Sequence, residues 1–277
     1  MKVRLNVTAS RCEVKDSFYA NHEQMIAGGI VLTVILIVMT TSLVDVIRKL
    51  FFARNRASSS SMSSSTRVSC LVKGFLSNCW LSFSLLSNGE KLLTSRVSEG
   101  SIRCIHGLKV LSLIWVIFAH SYLTLDLKAV GQLLQTQRVN SLFLFQVVLN
   151  ASLAVETFFF ISGLVITLSV FRRLSRSPRL SASEWVWFYV QRLVRMTPAV
   201  MLVIAIVLSA YQMSDGPLWR EIIYPSAERC RKNWWIHLLH ISNFFDVSRM
   251  CFLHLWYISA DVQLFLLTPL ILFIVDK

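Results

Sequence analysis

Long stretches that are almost free of charge constrain this chain more than any other feature. Residues 24–44 contain no Asp, Glu, Lys or Arg and are rich in Ile and Val. A helix of that length crosses a hydrocarbon core of about 30 Å. Similar stretches cover about 107–125, 151–171, 196–214 and 255–275. Because helices satisfy all their backbone groups internally in lipid, the pattern predicts an all-α, polytopic transmembrane helix bundle with about five spans.

The composition supports a membrane protein and excludes an ordinary soluble domain. Hydrophobic residues make up 55% of the 277 residues and charged residues only 16%, whereas soluble domains carry about 25% charged residues. The net charge of +13 comes from basic residues that flank the apolar stretches, as the positive-inside rule expects. These residues suit anionic lipid head groups. We therefore expect membrane lipids as partners and no nucleic acid; the oligomeric state is left open.

The charges around the first stretch predict the orientation of the chain. Arg11 and Lys15 precede it, and four basic residues follow it closely, namely Arg48, Lys49, Arg54 and Arg56. Because basic residues accumulate on the cytoplasmic side, the N-terminus is expected outside the cell or in a lumen. The protein is then a multi-pass protein of the plasma membrane or an endomembrane.

Composition also predicts four parts in the chain. Residues 1–25 form a short extracellular or lumenal N-terminus, and 26–46 a transmembrane anchor. Residues 47–101 form a cytoplasmic linker, which includes a serine-rich run that cannot bury apolar area. Residues 102–277 form a membrane domain.

Three titratable residues lie at a similar depth in separate predicted spans. His120 lies about five residues from the outer end of its span, Glu156 about five and Asp261 about six residues into theirs. By helix rise, all three occupy the outer third of the membrane. A carboxylate next to an imidazole fixes its tautomer and raises its basicity, so the set could act as a general base on a hydroxyl. The alternative is that each group is solvated at the head-group edge.

Three basic residues are candidates for cofactor binding. Arg192 and Arg195 are three residues apart on one helical face, at the predicted inner edge of the membrane, and guanidinium groups bind phosphate through paired hydrogen bonds. Lys109 lies at the inner end of its span. The alternatives are positive-inside anchoring for the arginines and extension of the lysine toward the head groups.

The outer segment 215–252 carries two further pairs. His237 and His240 could ligate a metal ion, but with no obvious third ligand we interpret them as interfacial and predict no metal site. Cys230 and Cys251 share this segment. In an oxidising compartment they are predicted to form a disulfide.

Four stretches, in order, resemble the acyltransferase 3 family. They are 107–120, with a basic residue eleven positions before a His; 155–167, an acid with aromatics ending in Ser-Gly; 191–198, an Arg-x-x-Arg element followed by Pro; and 254–269, with Trp, an acid, Gln and Pro in order. Bacterial members commonly have Arg at the position of Lys109 and Glu at that of Asp261. The segments 102–109 and 230–235 are more similar to the animal branch of nose resistant to fluoxetine-like proteins.

The resemblance implies an O-acyltransferase that moves an acyl group, other than an amino-acyl group, from cytoplasmic acyl-CoA to a hydroxyl acceptor at the membrane. His120 would be the base, with Glu156 and Asp261 beside it. Arg192 and Arg195 would bind the donor roughly 20–25 Å from His120 by helix rise. Family members usually have about ten core spans, of which this chain supplies four. A lipid or small-molecule transporter and an inactive truncated paralogue are the alternatives.

Overall fold

The computed structural model of the protein describes residues 22–58, 80–94, 102–123, 142–175, 181–211, 213–214 and 216–268. These residues form helices and turns, with no strand among them, so the predicted all-α class is confirmed. The α-helices are α1 (His22–Ser58), α2 (Leu85–Leu93), α3 (Arg103–Leu123), α4 (Gln146–Leu149), α5 (Ser152–Leu174), α6 (Ala182–Ala210), α7 (Pro217–Leu238) and α8 (Trp256–Leu266).

Four of these helices are long and apolar enough to cross a membrane, over His22–Phe51, Arg103–Tyr122, Ser152–Leu174 and Ala182–Ala210. The predicted polytopic bundle is therefore confirmed. The predicted fifth span begins with α8, and its last third lies outside the described residues.

Helix α6 begins well before the span predicted at 196–214. Its first turn is closed by a capping box, in which Ser181 Oγ accepts from Glu184 N–H and Glu184 Oε2 accepts from Ser181 N–H at 2.8 Å. This arrangement satisfies backbone donors that the helix itself cannot. The aromatic residues that follow extend the apolar surface toward the N-terminus, so Arg192 and Arg195 lie within the helix.

Helix α1 packs against α6 through small side chains. Ala27 is buried in a cluster with Val200, Ile204, Ala205 and Leu208. A Cβ atom added to Gly28 would lie 4.0 Å from Ser209 Cβ. The start of α1 therefore meets the end of α6, and the two membrane-crossing helices run antiparallel. Small residues allow such close approach where hydrophobic burial cannot drive association.

We expect Gly28→Leu to destabilise the bundle by about 1–3 kcal/mol, because the longer side chain pushes α6 away from α1. Gly29→Leu is the matched control, since a Cβ at Gly29 meets nothing within 4 Å. Thermal unfolding in detergent, followed by size exclusion, compares the two variants. Equal melting temperatures would contradict this packing.

Helices α5, α6 and α8 pack together and position the site. Phe159 contacts Tyr257 near the start of α8, with ring centroids 4.7 Å apart. Further along both helices, Ser162 contacts Asp261, so α5 and α8 run parallel. The Tyr189 hydroxyl of α6 donates to the Leu266 carbonyl at 3.2 Å.

Helix α3 lies on the other side of α5. The indole of Trp115 donates to the carbonyl of Val147 at 2.7 Å, and the buried Ala119 packs with Val148 and Ala151. These contacts fix the outer half of α3, which carries His120.

Candidate active site

An ion pair and a serine hydroxyl join three helices. Arg192 of α6 forms a charge-assisted hydrogen bond with Asp261 Oδ2 of α8. The Ser162 hydroxyl of α5 donates to Asp261 Oδ1 at 2.8 Å and accepts from Arg192 Nη2 at 2.9 Å. The Phe265 ring lies 4.4 Å from the Arg192 guanidinium carbon, a cation–π distance. Buried charges that are paired in this way avoid the cost of an isolated ion.

The pairing of Arg192 with Asp261 conflicts with the depths predicted for the two residues. The sequence placed Arg192 at the inner edge of the membrane and Asp261 in the outer third, yet the two side chains are in contact. Arg192 lies ten residues after Ala182, the first residue of α6, which is roughly 15 Å along the axis. The two predicted depths therefore cannot both be correct, and α6 extends further toward its N-terminus than the uncharged stretch that defined the predicted span.

The other two basic candidates lie apart from this ion pair. Lys109 and Arg195 are exposed, and neither makes a hydrogen bond or ion pair to the described residues. Arg195 lies about one turn beyond Arg192 toward the C-terminal end of α6. The described contacts therefore do not bring the three cations together.

A cavity of about 240 Å³ adjoins the ion pair. Its walls are mainly apolar and come from α5 and α8, with Phe159, Ile166, Leu264 and Phe265 among them, and Ser162 and Asp261 lie at its polar side. It is also lined by Gly163, Thr167 and Thr268, which lie further along α5 and α8 than Ser162 and Asp261. The cavity therefore extends from the ion pair toward the C-terminal ends of α5 and α8.

His120 is held by a bond within its own helix. Its Nδ1 lies 2.8 Å from the Val116 carbonyl oxygen, which can only accept, so Nδ1 carries the proton and donates. The lone pair of the neutral ring is then on Nε2. The ring is half-buried and meets His254 edge to face, with centroids 5.8 Å apart and planes at 88°.

Neither carboxylate predicted beside His120 forms a hydrogen bond or ion pair with it. Glu156 is exposed on α5 and makes no such contact with the described residues. Asp261 is engaged by Arg192 and Ser162. Depth alone does not determine which face of a helix a residue occupies. The close neighbour of His120 is instead His254, whose proximity no spacing in the sequence indicates.

The segment after α7 folds back onto the bundle, and His237, near the end of α7, and His240, just after it, are both buried. His240 has a left-handed backbone, with φ of 54°, and its Nε2 lies 2.9 Å from Thr197 Oγ1. Gln263 Nε2 donates to the His240 carbonyl at 2.8 Å. His237 Nε2 accepts from the Cys251 N–H at 3.1 Å. Both histidines are packed within the protein, and their place at the membrane interface stays a prediction.

Gln263 belongs to the stretch 254–269, whose pattern gave it no role, but its side chain anchors the segment after α7. It also exchanges two hydrogen bonds with Asn243, at 2.9 and 2.7 Å. Amide pairs of this kind fix a segment in a low-dielectric interior. A glutamine within an apolar stretch is the signal that could have predicted this contact.

The two outer cysteines lie in contact as fully buried thiols. The hydrogen bond from Cys230, with help from His237, lowers the pKa of Cys251 to about 6, and the same bond and burial raise the pKa of Cys230. Burial lowers the pKa of His240. The predicted disulfide is not formed in this structure, but the side chains that would form it are adjacent.

The disulfide remains a prediction for protein made in an oxidising compartment. We expect peptide mass mapping without reduction to recover Cys230 and Cys251 in one cross-linked peptide pair, because the two side chains already meet. Exposed Cys104 is the control and should be alkylated throughout. Alkylation of both outer cysteines in unreduced protein would contradict the bridge.

Within the described residues, no three His, Cys, Asp or Glu side chains are grouped so as to hold a metal ion. The candidate chemistry described for this site uses three side chains: an imidazole with its proton on Nδ1, a largely buried guanidinium and a carboxylate.

Comparison with known proteins places the chain in a family. Residues 102–277 match the family model described as an acyltransferase domain, Acyl_transf_3. Nose resistant to fluoxetine protein 6 of Caenorhabditis elegans is 30% identical over 210 residues, which cover 71% of this chain and 25% of that protein. No solved structure matches significantly.

Two further relatives are similar over shorter regions. O-acetyltransferase OatA of Staphylococcus aureus is 30% identical over 129 residues, or 43% of this chain and 20% of that protein. Regulator of hypoxia-inducible factor 1 of Caenorhabditis elegans is 26% identical over 132 residues, or 46% of this chain and 24% of that protein. The chain thus spans a quarter or less of the length of these relatives. Together with its apolar helices, the family match shows that this integral membrane protein belongs to the acyltransferase 3 family.

Proposed function

We propose that this protein transfers an acyl group, other than an amino-acyl group, from acyl-CoA to a hydroxyl acceptor at the membrane, with His120 as general base. The observation that carries the proposal is the hydrogen bond from His120 Nδ1 to the Val116 carbonyl. This bond leaves Nε2 as the basic nitrogen of a partly buried imidazole, within a domain of an acyltransferase family. An intramembrane ionisable residue usually has such a functional reason.

The reaction follows from the chemistry of that nitrogen. His120 Nε2 accepts the proton of the acceptor hydroxyl while the oxygen attacks the thioester carbonyl carbon. The C–O bond forms, the C–S bond breaks, and the CoA thiolate takes the proton back from the imidazolium. An ester and free CoA result, and His120 returns to its neutral form.

The charged residues would bind the donor and the acceptor. Arg192 Nε is buried without a hydrogen-bond partner among the described residues, which leaves a guanidinium donor for a ligand oxygen. We assign Arg192, Arg195 and Lys109 to the donor, Asp261 to holding Arg192 in place, and Glu156, exposed near the start of α5, to the acceptor. With the N-terminus outside, the acceptor would lie on the exoplasmic side of a plasma membrane or endomembrane.

Transfer can be tested with acyl-labelled CoA and membranes that contain the full chain. We expect label to appear in an alkali-labile ester together with an equal amount of free CoA, and neither product in membranes from cells without the protein. Release of CoA without labelled ester would indicate hydrolysis, and absence of both would contradict the proposal.

Transport of a lipid or small molecule is the second candidate, and the cavity beside the ion pair favours it. A transporter would move its substrate without acyl-CoA and would retain uptake after loss of His120. Uptake of a labelled hydrophobic amine into vesicles, measured with and without acyl-CoA, separates the two functions.

A further inference from the structure

We infer that His254 is a positioning residue for His120, which holds the imidazole in the orientation that presents Nε2 to the acceptor. The inference rests on the proposed function, because it assigns His254 a part in that reaction. His254 acts through His120, and no contact with substrate is assigned to it.

The contact between the two rings has a defined geometry. Their centroids are 5.8 Å apart and their planes are at 88°, an edge-to-face arrangement within the range of stabilising aromatic pairs. The hydrogen bond to Val116 fixes one edge of the His120 ring. The contact with His254 further limits the rotation of the ring about the Cβ–Cγ bond.

The segment around His254 is itself well anchored. Cys251 is fully buried, and its N–H donates to His237 Nε2 at 3.1 Å. The Phe252 ring stacks on His254 with centroids 5.4 Å apart and planes at 19°. Leu255 is buried in the cluster between α1 and α6. His254 is therefore presented from a fixed turn, Leu253–Leu255, and not from a free loop.

Ring packing predicts a specific order of activities for variants at this position. A small displacement of a catalytic group can cost about 100-fold in rate. We expect His254→Ala to lower kcat by about 10- to 100-fold, with the KM for the acyl donor changed only a few-fold, because the base is misoriented while donor binding persists. His254→Phe keeps a ring of similar width and should restore most of kcat. His22→Ala, at the exposed start of α1, is the control for loss of a histidine.

A second measurement reports on His120 without any acyl transfer. Diethyl pyrocarbonate modifies the neutral imidazole nitrogen, and peptide mass mapping separates His120 from His254. We expect modification of His120 to be several-fold faster in His254→Ala than in the wild type, because one side of the ring is uncovered. His254→Phe should return the rate to the wild-type value.

The two measurements distinguish the possible failures. If the wild type transfers acyl groups but His254→Ala keeps its full kcat, or if Phe restores no more activity than Ala, the positioning role is overturned while the proposed function stands. If the wild type transfers nothing, the proposed function fails, and the modification rates alone decide whether His254 holds His120. Equal rates in all three proteins would overturn the inference. Melting temperatures in detergent identify a variant that has not folded, and His254→Phe then carries the comparison.

Discussion

We expect replacement of His120 by alanine to abolish acyl transfer while the protein still folds and reaches the membrane. General-base catalysis contributes about 10²- to 10⁴-fold to a rate, so kcat should fall at least into that range. The variant loses the hydrogen bond to the Val116 carbonyl, worth about 1 kcal/mol, and the ring packing against His254. Initial rates of ester formation, normalised to the amount of protein in the membrane, provide the measurement.

His106→Ala is a matched control for this experiment. His106 lies on the same helix and is exposed, so its removal should leave the rate within a few-fold of the wild type. A His120→Ala protein that transfers acyl groups at the wild-type rate would exclude the base role. An equal loss in both variants would show that α3 is merely sensitive to substitution.

Replacing Asp261 by alanine is expected to destabilise the protein more than any other single change proposed for it. The substitution leaves the Arg192 guanidinium, whose side chain is only 20% exposed, without its counter-ion among apolar walls. Breaking one partner of a buried ion pair costs about 3–5 kcal/mol. We expect a sharp fall in melting temperature and in the amount of protein in the membrane.

The paired replacement Arg192→Met with Asp261→Leu separates stability from function. Exchange of both charges for apolar side chains of similar size is often neutral or stabilising, so the double variant should regain most of the lost stability. Acyl transfer should remain lost, because Arg192 is assigned to the donor. A double variant that folds and transfers normally would show that the pair is only structural.

Thr167→Ala is the control for the loss of a polar side chain from the wall of the cavity. Thr167 lines the same cavity, but its hydroxyl bonds the Gly163 carbonyl in its own helix at 2.9 Å. Its loss should therefore lower the melting temperature much less than Asp261→Ala. A similar fall for both variants would contradict the special cost of the unpaired charge.

The fold class could be predicted because length and absence of charge leave few structures for such segments in lipid. The boundaries of α6 could not be predicted in the same way. The predicted span was defined by the absence of charge, which left Arg192 outside it, although Arg192 lies within α6 and has a carboxylate partner on α8. A single sequence does not indicate that two residues 69 positions apart pair their opposite charges.

The candidate residues could be predicted one by one, but their partners could not. His120, Arg192 and Asp261 stand out as polar groups in apolar stretches. Which of them meet depends on helix rotation, and the structure joins Asp261 to Arg192 and His120 to His254. The fold of the outer segment depends on contacts of Gln263 with the His240 carbonyl and with Asn243. These are long-range contacts that periodicity does not predict.

Chemical rescue tests the base role of His120 most directly. His120→Gly removes the imidazole and leaves space in which free imidazole can bind, and transfer of label from acyl-CoA is then measured as imidazole is added. We predict negligible transfer by His120→Gly without imidazole and a rate that rises with the imidazole concentration. The wild type should show no such rise. Transfer by His120→Gly at the wild-type rate in the absence of imidazole would contradict it.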